Sequence, residues 1–159
     1  MTTLTVVCTY VALIGAGIMS GVYVAFSVMV MPSLERRPPT ESVGFMQETN
    51  RFAVRPAFQL AFSGTAVVAL VVALVAFLGD GDGRWWALGG SAAYLASIAL
   101  TAAFHIPRNN ALDAVDASTP PAAATAWASF SPPWTRGNHV RALMCIASAT
   151  AYAAALRSG

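Results

Sequence analysis

The side chains best suited to chemistry begin at His105, where a long apolar stretch of the chain ends. Pro107, Asn109 and Asn110 follow it directly. An imidazole titrates near neutral pH, so it serves as a general base or as a metal ligand. An ionisable residue within an apolar segment is a candidate for a functional site, although an asparagine at this position also commonly caps the next helix. We take His105 as a candidate base or ligand, with Asn109 in the same polar group.

A second group of polar and aromatic side chains opens the last apolar segment. It contains Trp134, Asn138, His139 and Arg141. Asn138 and Arg141 are three residues apart and therefore lie side by side on a helix. An arginine near a helix end commonly extends to lipid phosphates. The convergence of Trp134, Asn138, His139 and Arg141 with His105 on one end of the bundle is more informative than any one of them, and we take the group as a candidate site.

A third group lies between the first two apolar segments, where residues 41–52 have the pattern of an amphipathic helix. Helical spacing places four side chains on one apolar stripe, namely Phe45, Met46, Thr49 and Phe52. Gln47 and Asn50 share another face with Arg51. Such a pattern is typical of an interfacial helix whose amides meet water. In the alternative, functional interpretation of this face, Gln47 and Asn50 bind a substrate.

Four apolar segments must position these groups. The chain is 57% hydrophobic and 10% charged, whereas a soluble domain devotes about a quarter of its residues to charged side chains. A membrane-spanning helix needs roughly 20 mostly apolar residues. Four segments meet this requirement, at about residues 4–31, 57–78, 85–106 and 138–156. The sequence therefore predicts an all-α protein, a single domain built as an integral membrane four-helix bundle.

Two long connections and one short connection join these segments. Proline cannot continue a helix, so we expect the first helix to stop at Pro32 and the third just before Pro107. The connections over residues 32–56 and 107–137 are then long loops on one side of the membrane, with short interfacial helices. They hold most of the arginines, and the positive-inside rule places such loops in the cytoplasm. We expect both termini outside, and the protein in a bacterial cytoplasmic membrane.

Composition also bears on partners and cofactors. A net charge of +2 without a basic run does not indicate nucleic acid, so the expected partner of the surface is the lipid bilayer. A metal site usually needs three or more ligands, and the chain has two histidines. We expect no metal and no other cofactor, but ligation of haem or copper by His105 and His139 stays open. The spacing of Gly17 and Gly21 matches a helix-pairing pattern and leaves a homo-oligomer open.

These motifs together resemble a known family. In chain order they are Phe26-Ser27, Met31-Pro32-Ser33-Leu34, Met46-Gln47-x-x-Asn50, Ile106-Pro107-x-Asn109-x-x-Leu112, and Trp134 followed by Asn138-His139-x-Arg141. The series resembles the anthrone oxygenase-like family of small membrane proteins and runs through nearly the whole chain. The resemblance implies a four-helix membrane protein. Some fungal members of that family oxidise an anthrone to an anthraquinone in polyketide biosynthesis.

The resemblance also implies roles for the residues singled out above. A monooxygenase of this kind acts with O₂ on a planar, lipophilic aromatic substrate and needs a base and anion-stabilising donors. His105 or His139 would be the base. Asn50, Asn109, Asn138 and Arg141 would donate hydrogen bonds, and Phe26 and Trp134 would stack on the substrate. Two alternatives remain, a haem- or copper-binding membrane oxidoreductase and a non-enzymatic protein that binds lipophiles or serves as a structural subunit.

Overall fold

The computed structural model describes residues 3–158, which form five helical rods and no strand. The rods are α1 (Thr3–Leu34), α2 (Pro39–Ala53), α3 (Pro56–Leu78), α4 (Arg84–Asp113) and α5 (Pro120–Ser158). Four of them, all but α2, are long and apolar enough to cross a membrane. The all-α class and the four spanning helices predicted from the sequence are confirmed.

The four long rods pack as a ring in which α5 contacts α1 and α4, and α3 contacts the same two rods. Small buried side chains such as Ala12, Ala16 and Ala69 line these contacts. In lipid, small residues let helix backbones approach closely, and dispersion then holds them together. Two buried tyrosines add hydrogen bonds between rods. The hydroxyl of Tyr94 in α4 donates to the Phe62 carbonyl of α3 at 2.9 Å, and that of Tyr152 in α5 pairs with a serine hydroxyl of α4.

The predicted stops at Pro32 and Pro107 are wrong, because both helices run through their prolines to Leu34 and Asp113. A π-helical turn precedes each proline, over Phe26–Val30 in α1 and Thr101–His105 in α4. In a regular helix the proline ring clashes with the carbonyl four residues earlier. That carbonyl lies here inside the wider turn, whose hydrogen bonds span five residues. The wide turn therefore admits a proline that a regular turn would reject.

The predicted start of the last helix near Asn138 is also wrong, because α5 begins at Pro120. Prolines suit the first turn of a helix, and the alanine-rich residues 122–128 that follow favour helix formation. The helix continues through Pro132 and Pro133, with buried Trp127, Phe130 and Trp134 packed on either side of them. Its 39 residues extend over about 58 Å. A hydrocarbon core is only about 30 Å thick, so the first part of α5 lies beyond it.

The connection between α4 and α5 is short and is organised by Asp116. Its carboxylate accepts hydrogen bonds from the backbone N–H and hydroxyl of Ser118 and from the hydroxyl of Thr119. These bonds hold the pKa of Asp116 below its usual value. The carbonyl of Thr119 in turn accepts from the N–H of Ala123 in the first turn of α5. This turn explains why α5 starts directly after Thr119.

The first part of α5 and the amphipathic helix α2 form a cap on the loop end of the bundle. The helix predicted over residues 41–52 is confirmed as α2, but its buried side chains include Val43, Met46 and Gln47. Phe45 and Phe52 of the expected stripe are exposed. The pattern misled because α2 buries the face that meets Trp127 and Phe130 of α5, not the most apolar face. The bundle and its cap therefore have separate cores.

Of three glycines on α1, one lies in the contact between α1 and α3 and two lie on the outer surface of the bundle. A Cβ added at Gly15 would lie 2.0 Å from the Thr65 hydroxyl oxygen of α3. Gly17 and Gly21 have nothing within 4 Å of such a Cβ and are exposed on the bundle surface. Only Gly15 of these three lets two rods touch.

We predict that Gly15→Ala lowers the thermal stability of the detergent-solubilised protein, because α1 and α3 must separate to admit the methyl group. Overpacking of this kind costs about 1–3 kcal/mol. Gly17→Ala is the matched control and should leave the Tm unchanged. Intrinsic fluorescence during heating measures both variants, and an equal Tm for the two would contradict the packing described above.

Candidate functional site

An aromatic and polar cluster occupies the junction between the bundle and the cap, with Trp134 at its centre. The Trp134 ring lies 5.4 Å from the His105 ring, edge to face, and 5.9 Å from the Phe26 ring. Its indole N–H donates to the Asn109 side-chain oxygen at 2.9 Å. Three rods, α1, α4 and α5, therefore contribute to one cluster.

His105 is the most confined ionisable side chain of this cluster, at 1% exposure. The Phe104 ring lies edge to face with it at 5.2 Å. On its other side the backbone of α5 approaches so closely that a Cβ on Gly137 would lie 2.9 Å from His105 Cε1. The backbones of Leu100 and Trp134 are adjacent to the ring, but neither ring nitrogen makes a hydrogen bond of good geometry. Buried polar atoms without partners are rare and need an explanation.

Arg141 is the cation of the cluster, and its side chain is held by neutral groups. Its two terminal nitrogens donate to the Asn138 side-chain oxygen at 2.7 Å and to the Thr101 hydroxyl at 3.2 Å. The guanidinium lies over the rings of Tyr23, at 4.3 Å, and Trp134, at 5.5 Å. Its Nε–H has no partner, and among residues 3–158 Arg141 forms no ion pair. A buried cation without a counter-ion is costly, so the cluster is suited to an anion.

Asn138 ties this cation to α1 and is fully buried. Its amide nitrogen donates to the Tyr23 carbonyl and to the Ser27 hydroxyl, both at 2.8 Å, while its oxygen accepts from Arg141. An asparagine side chain has two N–H donors, and both are used here. Asn138 is therefore a residue that positions Arg141, with no N–H left for a bound molecule.

Four members of the cluster lie on π-helical turns, Phe26 and Ser27 on that of α1 and Thr101 and His105 on that of α4. A third such turn, Leu60–Gly64, lies near the same end of α3. π-helical turns occur mostly as single interruptions of α-helices and frequently at functional sites. Their presence at this end of three rods is a second indication, independent of residue type, that the cluster is a site.

The model of the anthrone oxygenase family matches residues 52–151 of the chain. This is most of the sequence, and it contains α3, α4 and the greater part of α5. The chain belongs to the anthrone oxygenase family. The family predicted from the order of the motifs is thereby confirmed. No curated protein and no solved structure matches the chain.

In this member of the anthrone oxygenase family, the residues matched by the family model include most but not all of the aromatic and polar cluster around Trp134. His105, Asn109, Trp134, Asn138 and Arg141 lie within it. Phe26 lies before it, on α1, but contacts Trp134. The fold therefore brings six of the predicted site residues together.

The structure does not bring the other three predicted residues to the cluster. His139 is exposed on α5; it follows Gly137 by two residues, about 200° around the helix, so it faces away from His105. Gln47 donates to the carbonyls of Leu112 and Val115, at 2.9 Å each. Asn50 donates to Asp113 at 3.2 Å in an exposed contact. The two amides hold α2 against the end of α4.

Three members of the site escaped the sequence reasoning as functional candidates, namely Tyr23, Ser27 and Thr101. A weak signal was present for the first two, because Tyr23 and Ser27 are polar, four residues apart in an apolar helix, and therefore on one face. Thr101 offers no such signal, since a threonine inside a span usually bonds to its own helix, as Thr101 also does with Ser97. Its contact with Arg141 depends on the packing of α4 against α5.

We predict that Asn138→Leu destabilises the protein strongly, because it removes the partner of Tyr23, Ser27 and Arg141 at once. Each buried group left without a partner costs about 1–3 kcal/mol, so the Tm should fall by more than about 5 °C. Asn110→Leu, at an exposed position of α4, is the matched control and should change the Tm little. A similar Tm for both variants would show that the Asn138 network does not hold α1 to α5.

Proposed function

We propose that this family member oxidises a planar, lipophilic, anthrone-type substrate with O₂ and without a cofactor. The observation that supports it best is the pair of unpartnered nitrogens on His105, in a ring-lined site beside a cation that has no counter-ion. The backbones of Leu100 and Trp134 adjoin the ring but complete no well-aligned hydrogen bond with it, so a substrate can replace these weak contacts. The family match supports oxygenase chemistry in general, and the substrate and the absence of a cofactor are our inference.

The proposed first step is the removal of a proton from the methylene carbon of the anthrone by His105. A neutral imidazole has one nitrogen that accepts a proton. The negative charge that forms spreads onto the ketone oxygen across the ring. Arg141 and Asn109 are the candidate donors to that oxygen, because the Nε–H of Arg141 lacks a partner and Asn109 uses only its oxygen towards Trp134. Preorganised donors of this kind lower the barrier for forming the anion.

The remaining steps need only O₂. The anion transfers one electron to O₂, and the resulting carbon radical and superoxide combine into a peroxide at the former methylene carbon. The peroxide takes back the first proton from His105. His105 then removes the second proton from that carbon as the O–O bond breaks, which gives the new carbonyl and a hydroxide; the hydroxide takes that proton and leaves as water. One anthrone and one O₂ thus yield one anthraquinone and one water.

Access to His105 requires a side chain to move, and Phe104 is the best candidate. Of the two rings that contact His105, Trp134 is buried and Phe104 is partly exposed. Arg108 lies 3.5 Å from the centre of the Phe104 ring and donates to the Phe104 carbonyl at 3.0 Å. A flat substrate that displaces the Phe104 ring would meet His105 and Trp134 with similar aromatic contacts.

The haem or copper alternative fits the residues poorly. His139 faces away from His105, so the two side chains do not converge on one ion. Residues 3–158 also contain no group of three or more histidine, cysteine, aspartate or glutamate side chains placed to hold a metal. These arrangements favour the cofactor-free scheme over a metal held by both histidines.

We also propose that the loop end of the bundle, with its cap, faces the cytoplasm and both termini face outward. The arginines support this orientation, since Arg36, Arg37, Arg51, Arg55 and Arg108 all lie at the loop end of their rods, and Arg84 and Arg157 lie at the other. Lysine and arginine near the ends of spanning helices favour the cytoplasmic side. The candidate site would then lie near the inner membrane surface.

For the reaction, we predict that His105→Phe lowers anthrone-dependent O₂ uptake by about a hundredfold or more, the usual contribution of a general base. Phenylalanine keeps an aromatic ring between Phe104 and Trp134 but has no nitrogen. His139→Phe is the matched control and should retain full activity. The assay follows O₂ consumption by purified protein above the autoxidation of anthrone alone, with elemental analysis and an absorption spectrum of the same sample.

Several outcomes would count against the scheme. Equal activity in both histidine variants would remove His105 as the base. Stoichiometric iron or copper, or a haem spectrum, would favour the oxidoreductase alternative. Bound anthrone without O₂ uptake above background would favour a lipophile-binding protein.

For the orientation, we predict opposite labelling of two single cysteines in a background carrying Cys8→Ser and Cys145→Ser. The first cysteine replaces Asp82 in the exposed turn between α3 and α4. The second replaces Ala114 in the exposed connection between α4 and α5. A membrane-impermeant maleimide should label the first in intact cells and the second only after permeabilisation. The reverse result would place the cap outside.

A further inference from the structure

We propose that a groove between α1 and α5, on the cap side of the bundle, binds the headgroup of an anionic phospholipid. The groove has a volume of about 510 Å³, within the range of about 300–1,000 Å³ typical of small-molecule sites. Arg36 at the end of α1 and Arg136 of α5 line it from opposite walls. This proposal does not depend on the reaction proposed above.

The groove lies at the level where lipid headgroups are expected. From Arg84 to His105, α4 rises about 30 Å, which equals the thickness of a hydrocarbon core. Trp85 and Trp86 at the start of this interval are exposed, as aromatic side chains at a membrane interface usually are. At the other end, the buried Trp134 contacts His105 and therefore lies at the level of the opposite interface. Arg136 lies within one helical turn of Trp134, so the groove spans this second interface.

The charges of the groove suit a phosphate. Neither Arg36 nor Arg136 has a side-chain hydrogen bond or an ion pair with another of residues 3–158. The single acidic side chain of the groove, Glu35, already accepts a hydrogen bond from the Ser131 hydroxyl across it. Two free guanidinium groups and one engaged carboxylate leave a net positive charge. Arginine binds phosphate oxygens through paired N–H groups, so the charge complements a phosphodiester whose headgroup adds no cation.

The floor of the groove suits the apolar part of a lipid. It is formed by Met31, Pro32 and Pro132, and Met31 belongs to the buried core of the cap. A free phosphate ion would use the arginines and leave this apolar floor in contact with water. A phospholipid uses both, because its glycerol and first acyl carbons follow directly after the phosphate. The combination therefore favours a lipid over a soluble anion.

The test is a titration of the full-length, detergent-solubilised protein with phosphatidylglycerol or phosphatidylcholine, followed by native mass spectrometry. We expect phosphatidylglycerol to bind more tightly than phosphatidylcholine. In the double variant Arg36→Gln, Arg136→Gln, its affinity should fall by about tenfold or more, equivalent to about 1.4 kcal/mol. The control is Arg37→Gln, Arg51→Gln, which removes the same charge from the same end of the molecule outside the groove and should bind like the unchanged protein.

Further arms separate the lipid from other ligands. Glu35→Gln should bind phosphatidylglycerol more tightly, because it removes the one negative charge of the groove. Equal binding of the two lipids, or equal losses in the two double variants, would overturn the proposal in favour of unspecific attraction to surface arginines. Displacement of the lipid by millimolar inorganic phosphate would show that the groove is a site for a soluble anion. The Tm of each variant without lipid verifies that the fold is intact.

Discussion

The burial of the Arg141 guanidinium is the interaction on which this end of the molecule depends. At 6% exposure the cation is separated from water, and no carboxylate among residues 3–158 neutralises it. Its stabilisation comes instead from Asn138, Thr101 and the rings of Tyr23 and Trp134. Those groups belong to α1, α4 and α5, so satisfying one charge fixes the relative positions of three rods. The same contacts hold Trp134 against His105, which joins the stability of the bundle to the geometry of the site.

Much of the fold was predictable from the sequence, because the bilayer restricts what a spanning segment can be. A long apolar run without charges must be a helix that satisfies its own backbone, which gave the four rods. The errors in the bounds of the spanning helices all lay at prolines. The rule that proline ends a helix holds for regular turns, and Pro32 and Pro107 follow π-helical turns, which no residue type announces. Pro132 and Pro133 lie where neighbouring rings hold α5 together, and that support exists only after folding.

The residue types of the site were predictable from the sequence, but the directions in which the side chains point were not. Spacing along α5 placed Asn138 and Arg141 together correctly, because both belong to one helix. Whether His105 or His139 belonged with them depended on how α4 packs on α5. Gly137 decides this, since its missing side chain lets His105 and Phe104 reach the α5 backbone, and His139 then faces outward. Gln47 and Asn50 were taken for substrate contacts because their partners, the end of α4 and its following connection, come much later in the chain.

The close packing around His105 bears on the selectivity of the proposed reaction. An empty cavity large enough for three fused rings would cost stability in proportion to its volume, and a water-filled one would bring a polar solvent to the base. With the Phe104 ring in place, the site has neither disadvantage. Only a ligand that replaces the lost aromatic contacts on both Trp134 and His105 compensates for moving that ring. In the proposed reaction a flat aromatic molecule dissolved in the bilayer would do so, whereas water and smaller apolar molecules would not, and the proton would then be removed in surroundings from which water is excluded.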